Sequence, residues 1–274
     1  MKYPIQKLRF KKGKRQKKRK IKPIPRIVVP SFFTLMNLFC GFLAIILIAD
    51  GNLRFGAWLI VFAGLFDALD GFMARLANAT SEFGMELDSI SDVVSFGVAP
   101  GFLIYTFALN ELAIIGILLS ALPPICGAIR LARYNVESKY AENAVYFRGL
   151  PIPAQAVMFS GFYLTFSNKL HLFDGFEQGV ISVLIPVVIL LSFLMVSTIP
   201  FDKIPRFDRD SVKKYKARLL LILVYLILIL IFQDIGLIIV FSFFILKGLV
   251  LGAYIFWKQA FTDDPDPLNN GINF

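Results

Sequence analysis

Residues 55–92 read FGAWLIVFAGLFDALDGFMARLANATSEFGMELDSISD, and the order of the parts decides the fold. An apolar run begins at Phe55, meets two acids at Asp67 and Asp70, and closes at Arg75. A short polar stretch follows, and a second segment then carries acids at Asp88 and Asp92 before turning apolar. A helix needs roughly 20 apolar residues to cross the hydrocarbon of a bilayer. The stretch therefore predicts the end of one span, a reversal at the membrane surface and the start of the next. Asp67 and Asp70 are three residues apart and share a helix face, while Asp88 and Asp92 are four apart and share a face of the following helix. The reversal brings four carboxylates toward one place.

Moving outward, apolar runs recur along all 274 residues, of which 57% are hydrophobic. The mean hydropathy of +0.69 is too high for an ordinary water-facing surface. The fold class expected is an all-α, polytopic membrane protein of about eight transmembrane helices. The spans are Val28–Ala49, Phe55–Arg75, Leu87–Leu109, Leu112–Arg133, Leu150–Ser167, Val180–Ile199, Leu219–Phe232 and Ile235–Trp257. The last two are expected to form a tight antiparallel hairpin around Gln233, Asp234, Ile235 and Gly236, because one helix of that length would overrun the bilayer. The chain then divides into a polybasic arm (1–27), a membrane core (28–200), a basic loop (201–218), the additional hairpin (219–257) and a polar tail (258–274).

Charge tests this arrangement. Net charge is +10, and residues 1–26 hold 13 Lys or Arg and no acid. The arm abuts a membrane span and has only two aromatics, Tyr3 and Phe10. It reads as a cytoplasmic segment lying on anionic lipid headgroups, not as a nucleic-acid-binding tail. With the amino terminus inside, the inner loops carry Arg75, then Arg130, Arg133, Lys139 and Arg148, then the run Lys203 to Arg218. The outer loops carry only Arg54 and Lys169, and an even span count returns Lys258 to the cytoplasm. Both termini and the acidic cluster are thus expected on the cytoplasmic side.

Other chemistries are excluded by what the chain lacks. Cys40 and Cys126 both sit in apolar runs and read as packing residues, with no disulfide framework or zinc pattern. His171 is the single histidine and lies in a short loop far from the acids, so a histidine triad or histidine-ligated metal is not expected. An EF-hand starting at Asp67 fails at its twelfth position, which is Asn78 and not Glu.

An ionised group within a span is costly unless it pairs or faces water, so acids there are functional candidates. Four converging carboxylates repel one another, and one or two divalent cations remove the repulsion. All-oxygen ligation suits Mg²⁺ or Mn²⁺, with Ca²⁺ as a competitor. A hard cation on carboxylates is a means of binding a diphosphate and offsetting charge at phosphorus. Asp67, Asp70, Asp88 and Asp92 are the candidate metal ligands. Gly71, Ala74 and Gly84 remove bulk nearby, so a nucleotide can approach the backbone. Arg75 places a cation one turn beyond Asp70, within reach of a phosphate.

Read as a whole, Asp67–Arg75 and Gly84–Asp92 follow D-x-x-D-G-x-x-A-R, eight residues, then G-x-x-x-D-x-x-x-D. This resembles, position for position, the signature of the CDP-alcohol phosphotransferase family. The resemblance implies that the aspartates bind metal and that Asp92 also serves as the catalytic base. It implies that Gly71, Arg75 and Ser81 contact nucleotide and diphosphate, and that a six-helix membrane core covers about residues 28–200. Three further stretches are similar to the family's bacterial members that use serine: Pro30–Gly41, with Thr34 and Asn37; Arg130–Asn135; and Phe147–Pro153. The run Met195–Pro200 fits as well. Thr34 joins the implied nucleotide contacts, while Ser31 stands where those members often have Asn. The implied reaction moves a phosphatidyl group from CDP-diacylglycerol to L-serine, in a bacterial inner membrane, in a homodimer. By physics alone the acceptor stays open. Arg130, Arg133 and Arg148 are candidates for holding a serine carboxylate, with Arg133 taken first, but glycerol phosphate would also want basic residues and inositol neutral ones. Another phosphatidyl lipid as acceptor, or a cation or substrate transporter with the same acids as its ion site, are the remaining alternatives.

Overall fold

The computed structural model describes residues 28–76, 81–140, 146–202 and 216–261. The described chain is almost entirely helical. Its helices are α1 (Val28–Ala49), α2 (Leu53–Leu76), α3 (Glu82–Asp92), α4 (Ala99–Phe107), α5 (Ile114–Tyr140), α6 (Ile152–Phe166), α7 (Ile181–Val196) and α8 (Lys216–Phe261). A π-helical segment, Val93–Val98, joins α3 to α4 without a break in the rod. Two short strands, β1 (Tyr146–Arg148) and β2 (Pro200–Asp202), pair antiparallel with Phe147 opposite Phe201.

Five segments are long and apolar enough to cross a membrane: Ser31–Ala49, Leu53–Ala74, Glu82–Phe107, Ile114–Glu137 and Asp234–Lys258. The apolar helices α6 and α7 are shorter. Large apolar side chains such as Phe39, Phe42, Phe62, Leu118 and Phe193 point outward. Lipid tolerates such a surface and water does not. The helices meanwhile satisfy their own backbone, as hydrocarbon demands. The chain is an integral membrane protein.

Local chemistry sets several helix ends. Leu47–Asn52 turns α1 into α2, with Gly51 at a φ of +82° that an L side chain resists. Helix α3 begins at Glu82, five residues before the expected Leu87, because Ser81 caps it. At the other end of α5, Gly149 has a φ of +80°, and its N–H donates to the Ile199 carbonyl at 2.8 Å. The Leu150 N–H donates to the Leu194 carbonyl at 2.9 Å, so the entry to α6 is tied to the exit of α7. Ile48, Ile60, Phe96, Leu103, Phe159 and Leu184 fill the core between these helices.

The expected hairpin of Leu219–Phe232 and Ile235–Trp257 is corrected: one continuous helix, α8, runs through both halves. The physical reason lies at Gln233–Gly236. A reversal needs residues that stop a helix, and this connection has no proline and a single glycine, so the hydrogen-bond ladder continues. From Asp234 onward α8 crosses the bundle. Asp234 meets Arg54 at 3.3 Å, Leu237 lies against Gly161, and Gly248 and Gly252 lie against Phe201 and Ile199. Lys169 lines a small cavity beside Asp234, so Arg54 and Lys169 share one end of the bundle. Most of the polybasic arm, the basic loop and the polar tail lie outside the described residues.

Candidate active site

The four aspartates come from two helices. Asp67 and Asp70 lie near the end of α2, and Asp88 and Asp92 belong to α3. Ligand atoms of Asp67, Asp70 and Asp88 all fall within 4.8 Å of one another. Carboxylates this close repel one another when ionised. Asp70 is buried, and Asp67 and Asp88 are half-buried, so water does little to relieve this. Asp88 Oδ1 is buried with no hydrogen-bond partner among the described residues. Carboxylate oxygens converging around an unsatisfied acceptor fit a hard divalent cation.

Asp92 is not one of these three. It lies one turn further along α3, 6% exposed, and its Oδ1 accepts a hydrogen bond from Asn37 Nδ2 at 3.1 Å. It remains within Coulombic reach of Asp67, Asp88 and Asp70. Two hydroxyls flank it. Ser91 Oγ donates to the Thr34 carbonyl at 3.0 Å, and Ser95 Oγ donates to the Asn37 carbonyl at 2.9 Å. Helix α1 can lie this close because residue 41 is glycine: a Cβ there would stand 2.6 Å from Ser95 Cα. The π-helical segment starts directly after Asp92, a placement that recurs at functional sites.

The remaining expected contacts divide. Thr34 is buried on α1 beside Ser91. Gly71 and Ala74 are half-buried on α2, on the stretch that follows Asp70. Ser81 and Gly84 have a local role: Ser81 Oγ accepts the Gly84 N–H at 3.0 Å as the amino-terminal cap of α3. A Cβ at position 84 would approach that oxygen to 3.1 Å, so the glycine keeps the cap unobstructed. The side chains of Arg75 and Arg148 lie outside the described residues.

Arg133 is placed differently from expectation. Its Nη1 donates to the Val196 carbonyl at 2.8 Å and its Nη2 to the Ser197 carbonyl at 3.1 Å. Those are carbonyls at the end of α7, which a helix cannot satisfy internally. Arg133 thus fastens α5 to α7. Arg130, one turn earlier, is 6% exposed and within Coulombic reach of Asp92. Asn135 Nδ2 donates to Ser89 Oγ at 2.9 Å and ties α5 to α3. The sequence reading gave no individual role to Asn37, Ser91, Ser95 or Asn135. For Asn37, Ser91 and Ser95 the signal was present as polar residues at helical spacing inside otherwise apolar spans.

With this geometry in place, comparison with known proteins is informative. Residues 27–196 match the family model for CDP-alcohol phosphatidyltransferase. A CDP-diacylglycerol–serine O-phosphatidyltransferase of Helicobacter pylori is 33% identical over 237 residues, which is 86% of this chain and 96% of that protein. One of the same name from Bacillus subtilis is 37% identical over 190 residues, 69% of this chain and 96% of that protein. An archaetidylserine synthase of Methanothermobacter thermautotrophicus is 39% identical over 180 residues, 65% of this chain and 71% of that protein. A family match over more than half the chain and a relative covered nearly end to end agree with the aspartate geometry, and the chain belongs to the CDP-alcohol phosphatidyltransferase family.

Proposed function

We propose that this membrane protein transfers the phosphatidyl group of CDP-diacylglycerol to the hydroxyl of L-serine, giving phosphatidylserine and CMP. The observation that carries the reading is the convergence of Asp67, Asp70 and Asp88 with Asp92 held one turn deeper. The choice of serine rests on the printed names of the similar proteins and on the resemblance at Arg130–Asn135 and Phe147–Pro153.

Asp67, Asp70 and Asp88 would hold one or two Mg²⁺ or Mn²⁺ ions, with Asp92 contributing a further oxygen. Such ions, when bound, offset the charge of the diphosphate and of the phosphorus centre during displacement. Asp92 takes the proton of the serine hydroxyl. The freed oxygen forms a bond to the lipid-linked phosphorus, and the bond from that phosphorus to the CMP oxygen breaks. Gly71 and Ala74 leave room for the nucleotide beside α2, and Thr34 lines the same region from α1. Arg75 offers a cation to the diphosphate. We place Arg130 at the serine carboxylate because it lies within Coulombic reach of Asp92, whereas Arg133 donates to the carbonyls ending α7. The acids share their end of the protein with the cationic residues of α5, and we assign that end to the cytoplasm, in a bacterial inner membrane. The polybasic arm then rests on anionic lipid, and a homodimer follows from the family resemblance.

The test is CMP release by purified protein with CDP-diacylglycerol and a panel of acceptors. Serine should outcompete glycerol phosphate and inositol. Exhaustive chelation should abolish release, and Mg²⁺ or Mn²⁺ should restore it. Full activity after chelation would remove the metal, and preference for another alcohol would remove serine while leaving phosphatidyl transfer. Cation flux without CMP release would overturn the enzyme reading.

A further inference from the structure

We infer that Asn37 is a positioning residue for the transfer: its side-chain amide fixes the rotation of the Asp92 carboxylate, so that one defined oxygen is left to receive the acceptor's proton. This rests on the reading of Asp92 as the base. The first observation is burial. Asn37 is 0% exposed in the middle of an apolar span, where an amide is costly unless it has a partner. The partner is Asp92, whose Oδ1 receives the Nδ2 hydrogen at 3.1 Å.

The second observation is how firmly the donor itself is held. The backbone carbonyl of Asn37 takes the Ser95 hydroxyl, and the carbonyl of Thr34, one turn earlier, takes the Ser91 hydroxyl. Asp92 lies between those two serines in sequence, so its backbone is fastened to α1 on both sides. The close approach at Gly41 fixes the spacing between the helices. These contacts set where Asp92 stands but leave its carboxylate free to turn, because terminal torsions of this type are broad and two-fold. The Asn37 amide is the one described contact that removes this freedom, by engaging one oxygen and leaving the other. Asn37 Oδ1 is itself buried with no hydrogen-bond partner among the described residues. The side chain is therefore in place for what its nitrogen does, and packing alone would be better met by leucine.

The experiment is Asn37→Leu in the full-length protein, with steady-state kinetics and thermal unfolding. The expected result is a fall in kcat of about tenfold to a hundredfold, the range a misplaced reacting group produces. The KM for serine and for CDP-diacylglycerol should stay within about threefold, since substrate binding is not what the amide supports. Asn37→Ser supplies a second test if the leucine variant does not fold. Its hydroxyl is too short to reach Asp92, so it should fold and lose kcat to a similar extent. Normal kcat in either folded variant overturns the inference. So does a loss expressed as raised KM values, which would make Asn37 part of the binding site. If the unaltered protein releases no CMP with any alcohol, it is the transferase reading that fails.

Discussion

Two buried polar seams run through this bundle, and they are built to different standards. Between α1 and α3, Ser91, Asn37 and Ser95 make three hydrogen bonds of 2.9–3.1 Å, and the seam ends on a carboxylate of the acidic cluster. Between α6 and α7, the buried Gln155 reaches Ser192 only at 3.5 Å. Gln155 Oε1 has no partner among the described residues. Both seams would attract notice as polar residues in apolar spans. The difference teaches that such residues are held closely where they meet the acidic cluster and loosely where they do not. A loose seam is adequate for helix association, which polar contacts in membranes support only modestly.

The widest gap between the regions should appear at the acids. Asp88→Ala should bring CMP release to background and abolish Mn²⁺-dependent nucleotide binding. Ordinary turnover in that variant would break the distinction outright. Asp92→Asn should lower turnover by a factor on the order of 10²–10⁴, the usual weight of a general base. Nucleotide binding should fall less than in Asp88→Ala, and near-normal turnover would show that another group takes the proton.

A finer division concerns two arginines on one helix. Arg130→Ala should raise the serine KM by about tenfold to a hundredfold, as expected for losing a hydrogen bond to a charged group. Arg133→Ala should instead lower the unfolding temperature, with the serine KM changed by less than about threefold, because it removes a fastening to α7 and no ligand contact. Exchanged phenotypes would restore Arg133 as the carboxylate clamp. The smallest effect is expected in the loose seam. Gln155→Leu should leave kcat and both KM values unchanged and shift unfolding by only about 2–3 °C, since replacing a poorly bonded amide by an apolar group of similar shape is nearly neutral. A large loss of turnover there would mean that the two seams are equivalent after all.

Much of this was legible in the chain. The apolar runs located the first two spans to within two residues at each end, because burial in lipid requires an unbroken apolar length. The signature from Asp67 to Asp92 located the acidic cluster, because helical spacing puts those carboxylates on shared faces. The start of α3 was harder. Ser81 and Gly84 resemble substrate contacts, and only the cap geometry shows one oxygen and one N–H engaged with each other. The continuity of α8 was also hidden. The expectation of a hairpin came from bilayer thickness, whereas the helix follows its own hydrogen-bond ladder through Gln233–Gly236.

Hydropathy and the spacing of acids were therefore sufficient for the class of protein, its membrane habit and the acidic cluster. Each of those properties is local, readable along one helix or across one short connection. Which of several similar side chains meets the centre was settled only when the helices packed. Asn37 and Gln155 are both amides in apolar spans, and Arg130 and Arg133 are three residues apart on one helix, yet one of each pair lies at the acids while Gln155 makes only a loose contact with Ser192 and Arg133 fastens α5 to α7. Periodicity states which residues share a face. Depth, and the identity of the neighbour across that face, come from close packing at positions such as Gly41, where a single added carbon would force two helices apart.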